Sequence, residues 1–183
     1  MIIMKAINIF ILLMFLVGFC CCDDEENIHV EEEGPRRDYD INSTDPVKKI
    51  VSEFFFNTGK EFIVDPDSSD YLYNFAEKNG VKMYPVSDAN RDYLLSTVQL
   101  IKSGFLDCYT TEFVKENFPY SVIIADTIYD TGTYLTPKIV DNIARINYYG
   151  VNVAGKANLD LAEQKAFLAL VHYDFFNTYL SVF

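Results

Sequence analysis

Histidine is scarce: the 183 residues contain two, His29 and His172. Imidazoles that far apart cannot form a His-Glu-x-x-His zinc helix or a local His-rich metal cluster. Positive charge is also short. Against 27 Asp+Glu stand 15 Lys+Arg, and the formal net charge is −12. That balance argues against a protein that tracks phosphates, so no nucleic acid is expected as a partner. Cysteine is confined to one cluster, Cys20, Cys21 and Cys22, and to Cys108. Once the cluster is processed at the N-terminus, no disulfide framework is left to build. Cys108 has no histidine near it in sequence to activate it, and is expected as a small buried apolar residue. The apolar run Ile9 to Val17 is too short to cross a bilayer comfortably. No internal repeat is present.

What is there is apolar and acidic, in separate places. Hydrophobic residues make up 50% of the chain and charged residues 23%, which suits one globular domain with a core. Residues 23–40 hold nine acids against Arg36 and Arg37, so this stretch carries −7 of the charge. Self-repulsion and a scarcity of apolar groups make it an extended, solvated tether.

The first residues read as an export address. Lys5 provides a basic start, Ile9–Val17 an apolar core, and Gly18-Phe19-Cys20-Cys21-Cys22 a small-residue ending. That ending resembles the bacterial lipoprotein box, in which the cysteine is lipidated and becomes the first mature residue. Cys22 is the expected attachment point, because small Cys21 precedes it whereas bulky Phe19 precedes Cys20. An uncleaved membrane anchor is the plainer alternative. Asp23-Asp24-Glu25-Glu26 resembles the acidic surface-export signal of Bacteroidetes lipoproteins, and also suits a simple tether. The expected organisation is a signal peptide over 1–21, a tether over 22–44 and one domain over 45–183.

The domain reads as α+β, with helices and short strands in no regular βαβ alternation. Asp45-Pro46 opens a helix whose Val47, Ile50, Val51, Phe54 and Phe55 share one face, and Gly59 closes it. Strands are expected at Glu61–Val64, Val81–Tyr84 and Ser121–Ala125. A weaker helix is expected over 69–79, with Leu72, Phe75 and Ala76 on its buried side. Ser87 is placed to cap a longer helix carrying the stripe Leu94, Val98, Ile101 and Phe105, and Thr111–Asn117 forms a short one before Pro119. Thr131-Gly132 suits a turn. Ala144, Ile146 and Tyr148 alternate with Arg145, Asn147 and Tyr149, the period of a half-buried strand. The last helix starts at Asp160 with Glu163 as its capping-box partner. Ala166–Val171 is apolar on every side, which predicts a helix central to the fold. The 13 Tyr and 15 Phe are scattered and predict core filling rather than a sugar-stacking platform.

Several of these segments together resemble a family, the zinc metallopeptidase lipoproteins of Bacteroidetes that accompany outer-membrane glycan import. The resemblance covers roughly 45–180. It is carried by Lys49-Ile50-Val51-Ser52-Glu53-Phe54-Phe55 before Phe62-Ile63-Val64, by Val86-Ser87-Asp88-Ala89-Asn90 and by Phe105-Leu106-Asp107-Cys108-Tyr109. It continues in Arg145-Ile146-Asn147-Tyr148-Tyr149-Gly150-Val151-Asn152 and in the last helix, with Leu170-Val171-His172-Tyr173-Asp174-Phe175. The resemblance implies a zincin-like single domain whose last helix is the zinc helix.

The chemistry departs from the family. Such peptidases place two histidines one helical turn apart around a metal, with a Glu beside the first to activate the bound water. In the best register Tyr173 stands at the first His, Asp174 at the Glu and Asn177 at the second His. Taking His172 as the first ligand puts Phe176 at the second. No catalytic residue, no metal ligand and no cofactor is carried over. His172 is expected to pack rather than ligate; Asp174 is either satisfied by a hydrogen bond or faces a residual cleft. The chain ends at Phe183, just past this helix, and the expectation is a domain truncated there. The resulting reading is a non-catalytic, zincin-like lipoprotein of the outer membrane, at the cell surface or beneath it. It would be tethered by its lipid anchor and accessory to a nutrient (glycan) uptake complex. The alternatives are a working metal-dependent hydrolase using Asp174 with other ligands, and a truncated fragment without independent function.

Overall fold

A computed structural model describes residues 36–72, 80–86, 91–132 and 136–181. The expected signal segment, its three cysteines and residues 23–35 of the expected tether lie outside these residues, as do Phe75, Ala76 and Ser87. Helix α1 spans Pro46–Thr58. The Asp45 carboxylate accepts from the amides of Val47 and Lys48, and Gly59 ends the helix at φ 69° with its amide on the Phe55 carbonyl. The residues before it are not a free tether. The Asp40 amide donates to Ser52 Oγ at 2.9 Å, Tyr39 stacks on Phe55 at 4.1 Å, and Asp38 pairs with Lys48 at 2.7 Å. The folded unit therefore begins at Asp38 rather than at 45. Tyr39 gives this segment an aromatic anchor, which its charge count conceals.

Strand β1 (Glu61–Ile63) is followed by a one-turn helix α2 (Ser68–Tyr71), β2 (Val81–Tyr84) and helix α3 (Arg91–Gly104). A 3-10 turn at Leu106–Cys108 leads into α4 (Thr111–Asn117). Next come β3 (Ser121–Ala125), β4 (Thr127–Asp130), β5 (Lys138–Val140), β6 (Asn142–Ala144) and β7 (Tyr148–Asn152). Helix α5 (Leu161–Asp174) runs on into a π turn, Phe175–Leu180. The mixed α+β class expected from the sequence is what is observed.

Four strands form the main sheet in the order β1-β3-β7-β6, with β1, β3 and β7 parallel and β6 antiparallel to β7. Three more form a small antiparallel sheet, β2-β4-β5. Alternation along the main strands splits the core in two. Phe62, Val122, Ile124, Tyr149 and Val151 face the helices. Ile63, Ile123, Ala125 and Tyr148 face the small sheet, with its Val81, Met83 and Ile128. Gly150 lets the two sheets close up. A Cβ there would meet Met83 Cε at 2.8 Å, Ile143 Cγ2 at 2.9 Å and Ile128 Cδ1 at 3.2 Å.

Four expectations need correction. The stretch Ala144–Tyr149 is not one strand: Ala144 ends β6, Tyr148 and Tyr149 open β7, and residues 145–147 form the turn between them. The Arg145 amide donates to the Tyr148 carbonyl at 2.9 Å, and Ile146 is exposed. The helix expected over 69–79 is only α2 where it is described, and Leu72 lies on the surface. Cys108 is exposed, its thiol 3.4 Å from the Gly104 carbonyl, because it sits on the outer side of the 3-10 turn. Finally, α5 is not buried all round. Phe167 and Val171 face the core, whereas Leu161, Leu170 and Tyr173 are exposed.

Candidate functional site

The candidate centre is α5 where it crosses the main sheet. Its start is fixed by Asp160 and Glu163, which cap each other's backbone amides in a capping box. Phe167, Val171 and Phe175 then point into the helix-side core. Tyr149 on β7 donates to the Val171 carbonyl at 3.0 Å, and Tyr179 donates to the Ile146 carbonyl at 3.4 Å. These two bonds hold the C-terminal half of the helix against β7 and the turn before it. Burial, with a smaller contribution from the charge of Asp174, pushes the Tyr149 hydroxyl well above its ordinary range.

His172 and Asp174 lie two residues apart, about 200° around the helix, and so leave it on different flanks. His172 turns toward α3. Its Nε2–H donates to the Gly104 carbonyl at 2.8 Å, which leaves Nδ1 to accept from the Tyr109 hydroxyl at 2.7 Å. Both ring nitrogens are occupied by protein. Asp174 turns toward β6, where Oδ2 accepts from Asn142 Nδ2 at 2.8 Å. Asn142 Oδ1, beside it, is buried and has no hydrogen-bond partner among the described residues.

The other two positions singled out in the sequence, Tyr173 and Asn177, point outward. Tyr173 is 64% exposed. Asn177 is exposed, and its side-chain amide folds back to the Tyr173 carbonyl at 2.9 Å. The π turn begins directly after Asp174, so the stretch containing Asn177 is wound more loosely than the helix before it. The four residues are therefore not brought to one point. Zinc needs three or four N, S or O donors converging within about 2.3 Å. His172 has no free nitrogen, Asp174 is taken by an amide, and Tyr173 and Asn177 face solvent. This donor set does not fit zinc. Among the described residues no three His, Cys, Asp or Glu side chains gather at one place.

Away from this centre, a concavity of about 110 Å³ lies between α1, the end of α3 and α4. Glu53, Asn57, Lys102, Asp107 and Tyr109 are among its walls. Lys102 pairs with Asp107 at 2.7 Å on these walls.

The sequence pattern points to His172, Tyr173, Asp174 and Asn177, but not to Tyr109 and Asn142 as the partners of His172 and Asp174. Those contacts join residues 63 and 32 positions apart, and no local pattern encodes such separations. No protein-family model, no curated protein and no solved structure matches this chain.

Proposed function

We propose that this chain is an outer-membrane lipoprotein, anchored through Cys22, whose zincin-like domain no longer does zinc chemistry and serves as an accessory to nutrient (glycan) uptake. The domain's role is then binding or assembly within an uptake complex rather than hydrolysis. The observation that carries the reading is the state of the degenerate motif. Asp174, in the position of the family's catalytic Glu, is held by Asn142, and neither neighbouring ligand position turns toward it. Placement supports the zincin-like part. The helix that the resemblance assigns to zinc lies across the main sheet, with Asp174 toward β6, the last strand of that sheet. Strand addition at such an edge is a general mode of peptide recognition, and it needs no metal.

Two measurements test the proposal. Labelling of growing cells with a fatty-acid analogue should mark the chain, and Cys22→Ala should abolish the mark. Unchanged labelling would move the anchor to Cys20 or Cys21, and no labelling of the parent would remove it. Peptidase assays on the purified chain should read the same background with and without chelator. Activity that the chelator abolishes would overturn the non-catalytic reading in favour of a hydrolase built on Asp174.

A further inference from the structure

The outward face of α5 carries an apolar surface that the other described residues leave exposed. Ala162, Ala166 and Ala169 occupy its first half, and Leu170, Tyr173 and Phe176 its second. All six are exposed, Leu170 at 54%, Tyr173 at 64% and Phe176 at 49%. We propose that this face is a homodimer interface, in which α5 of one copy packs antiparallel on α5 of another about a two-fold axis at Ala169.

The division into a small half and a large half argues for a second copy. In an antiparallel pair centred on Ala169, Phe176 of one helix falls opposite Ala162 of the other. Tyr173 falls opposite the turn that contains Ala166. Phe176 thus meets an alanine, Tyr173 meets the turn built on another, and Leu170 flanks the axis, so one face is its own complement, as a two-fold interface requires. Lys165, the cation within this face, comes over the partner's Tyr173, a pairing worth having for an ammonium and an aromatic ring. A bilayer would instead have to accommodate that charge.

Area and charge agree with this occupant. Three large side chains about half exposed, with the alanines and the Lys165 stem, give roughly 500–600 Å² per copy. Two such faces come to ~1,000–1,200 Å², at the lower limit of a specific interface. The expected dimer is therefore weak and concentration-dependent. Most of the chain's negative charge lies in residues 23–40, away from this helix in sequence.

Disulfide trapping tests the geometry. The full chain, with Cys108→Ser to remove the exposed thiol, is expressed and its membranes are oxidised with a copper catalyst, using the Cys108→Ser parent as background. Ala169→Cys should trap a dimer, because this position meets itself at the axis. Ala162→Cys alone should not, since the two copies of residue 162 lie about 21 Å apart along the axis. Co-expression of Ala162→Cys and Phe176→Cys chains should trap the mixed pair. Sedimentation of the purified chain should show a mass that doubles with concentration, and Leu170→Glu with Tyr173→Glu should hold it at the monomer mass with an unchanged circular dichroism spectrum. Trapping of Ala162→Cys with itself would mean a parallel pair and overturn the proposal. Trapping at no position, or a monomer at every concentration, would overturn it as well. So would a face that binds zwitterionic vesicles while the chain stays monomeric.

Discussion

Tyr109 and His172 stand 63 residues apart in the chain and 2.7 Å apart in the fold, and their bond ties the 3-10 turn to α5. Removing the hydroxyl with Tyr109→Phe leaves Nδ1 of His172 without its donor, a loss of about 1–3 kcal/mol. Calorimetry should show a melting temperature lower by roughly 2–4 °C per kcal/mol. The same hydroxyl predicts a pH dependence. Burial, and to a lesser extent Cys108, pushes the Tyr109 pKa up to about 12, whereas an unfolded Tyr titrates near 10. The folded state thus keeps a proton that the unfolded state has lost. The associated stability is fully present below about pH 10 and disappears as pH rises toward 12. Melting of the parent should fall across that window, and Tyr109→Phe should fall less steeply. Parallel curves for the two proteins would contradict this assignment.

At the level of single elements, the sequence was most legible where one apolar stripe was enough. The Leu94, Val98, Ile101 and Phe105 stripe is buried throughout, and the caps at Asp45, Gly59 and Asp160 are where local chemistry puts them. It was least legible where the element was short or its environment decided. Strands β4, β5 and β6 have three or four residues each and carry no period long enough to read. Helix α5 shows the opposite problem. Its apolar residues surround the axis, so periodicity cannot say which face the core takes. The fold takes Phe167, Val171 and Phe175. Adjacent phenylalanines in the following turn test that assignment. Phe175 is fully buried against the rings of Phe105, Phe118, Tyr149 and Tyr179. Phe175→Ala should cost about 3–5 kcal/mol in urea unfolding, and half-exposed Phe176→Ala much less. Between the sheets, Gly150→Ala should cost about 1–3 kcal/mol through the crowding of Met83, Ile143 and Ile128. A silent Gly150→Ala would show that the sheets have room to part.

For the whole molecule, the limits of the domain and the state of its motif are what matter. The charge count set the tether's end too late, because Tyr39 and Asp40 are bound to α1 despite the acids around them. A glutamate-specific protease should therefore cut early at Glu31, Glu32 and Glu33, while Glu61, 3% exposed in β1, resists. Mass spectrometry of the stable core should find Asp38 retained; rapid cutting at Glu61 would deny a folded unit. That Tyr173 and Asn177 are poor zinc ligands was legible from residue types alone. That Asp174 is occupied by Asn142 was not, because a bond between the end of α5 and β6 depends on tertiary placement. The central claim is that these positions do not hold zinc. Calorimetric titration of zinc into the parent chain and into Tyr173→His, Asp174→Glu, Asn177→His tests it most directly. No binding heat is expected for the parent, and measurable zinc binding for the variant, in which two imidazoles share a helical face. Tight, stoichiometric zinc binding by the parent would contradict it.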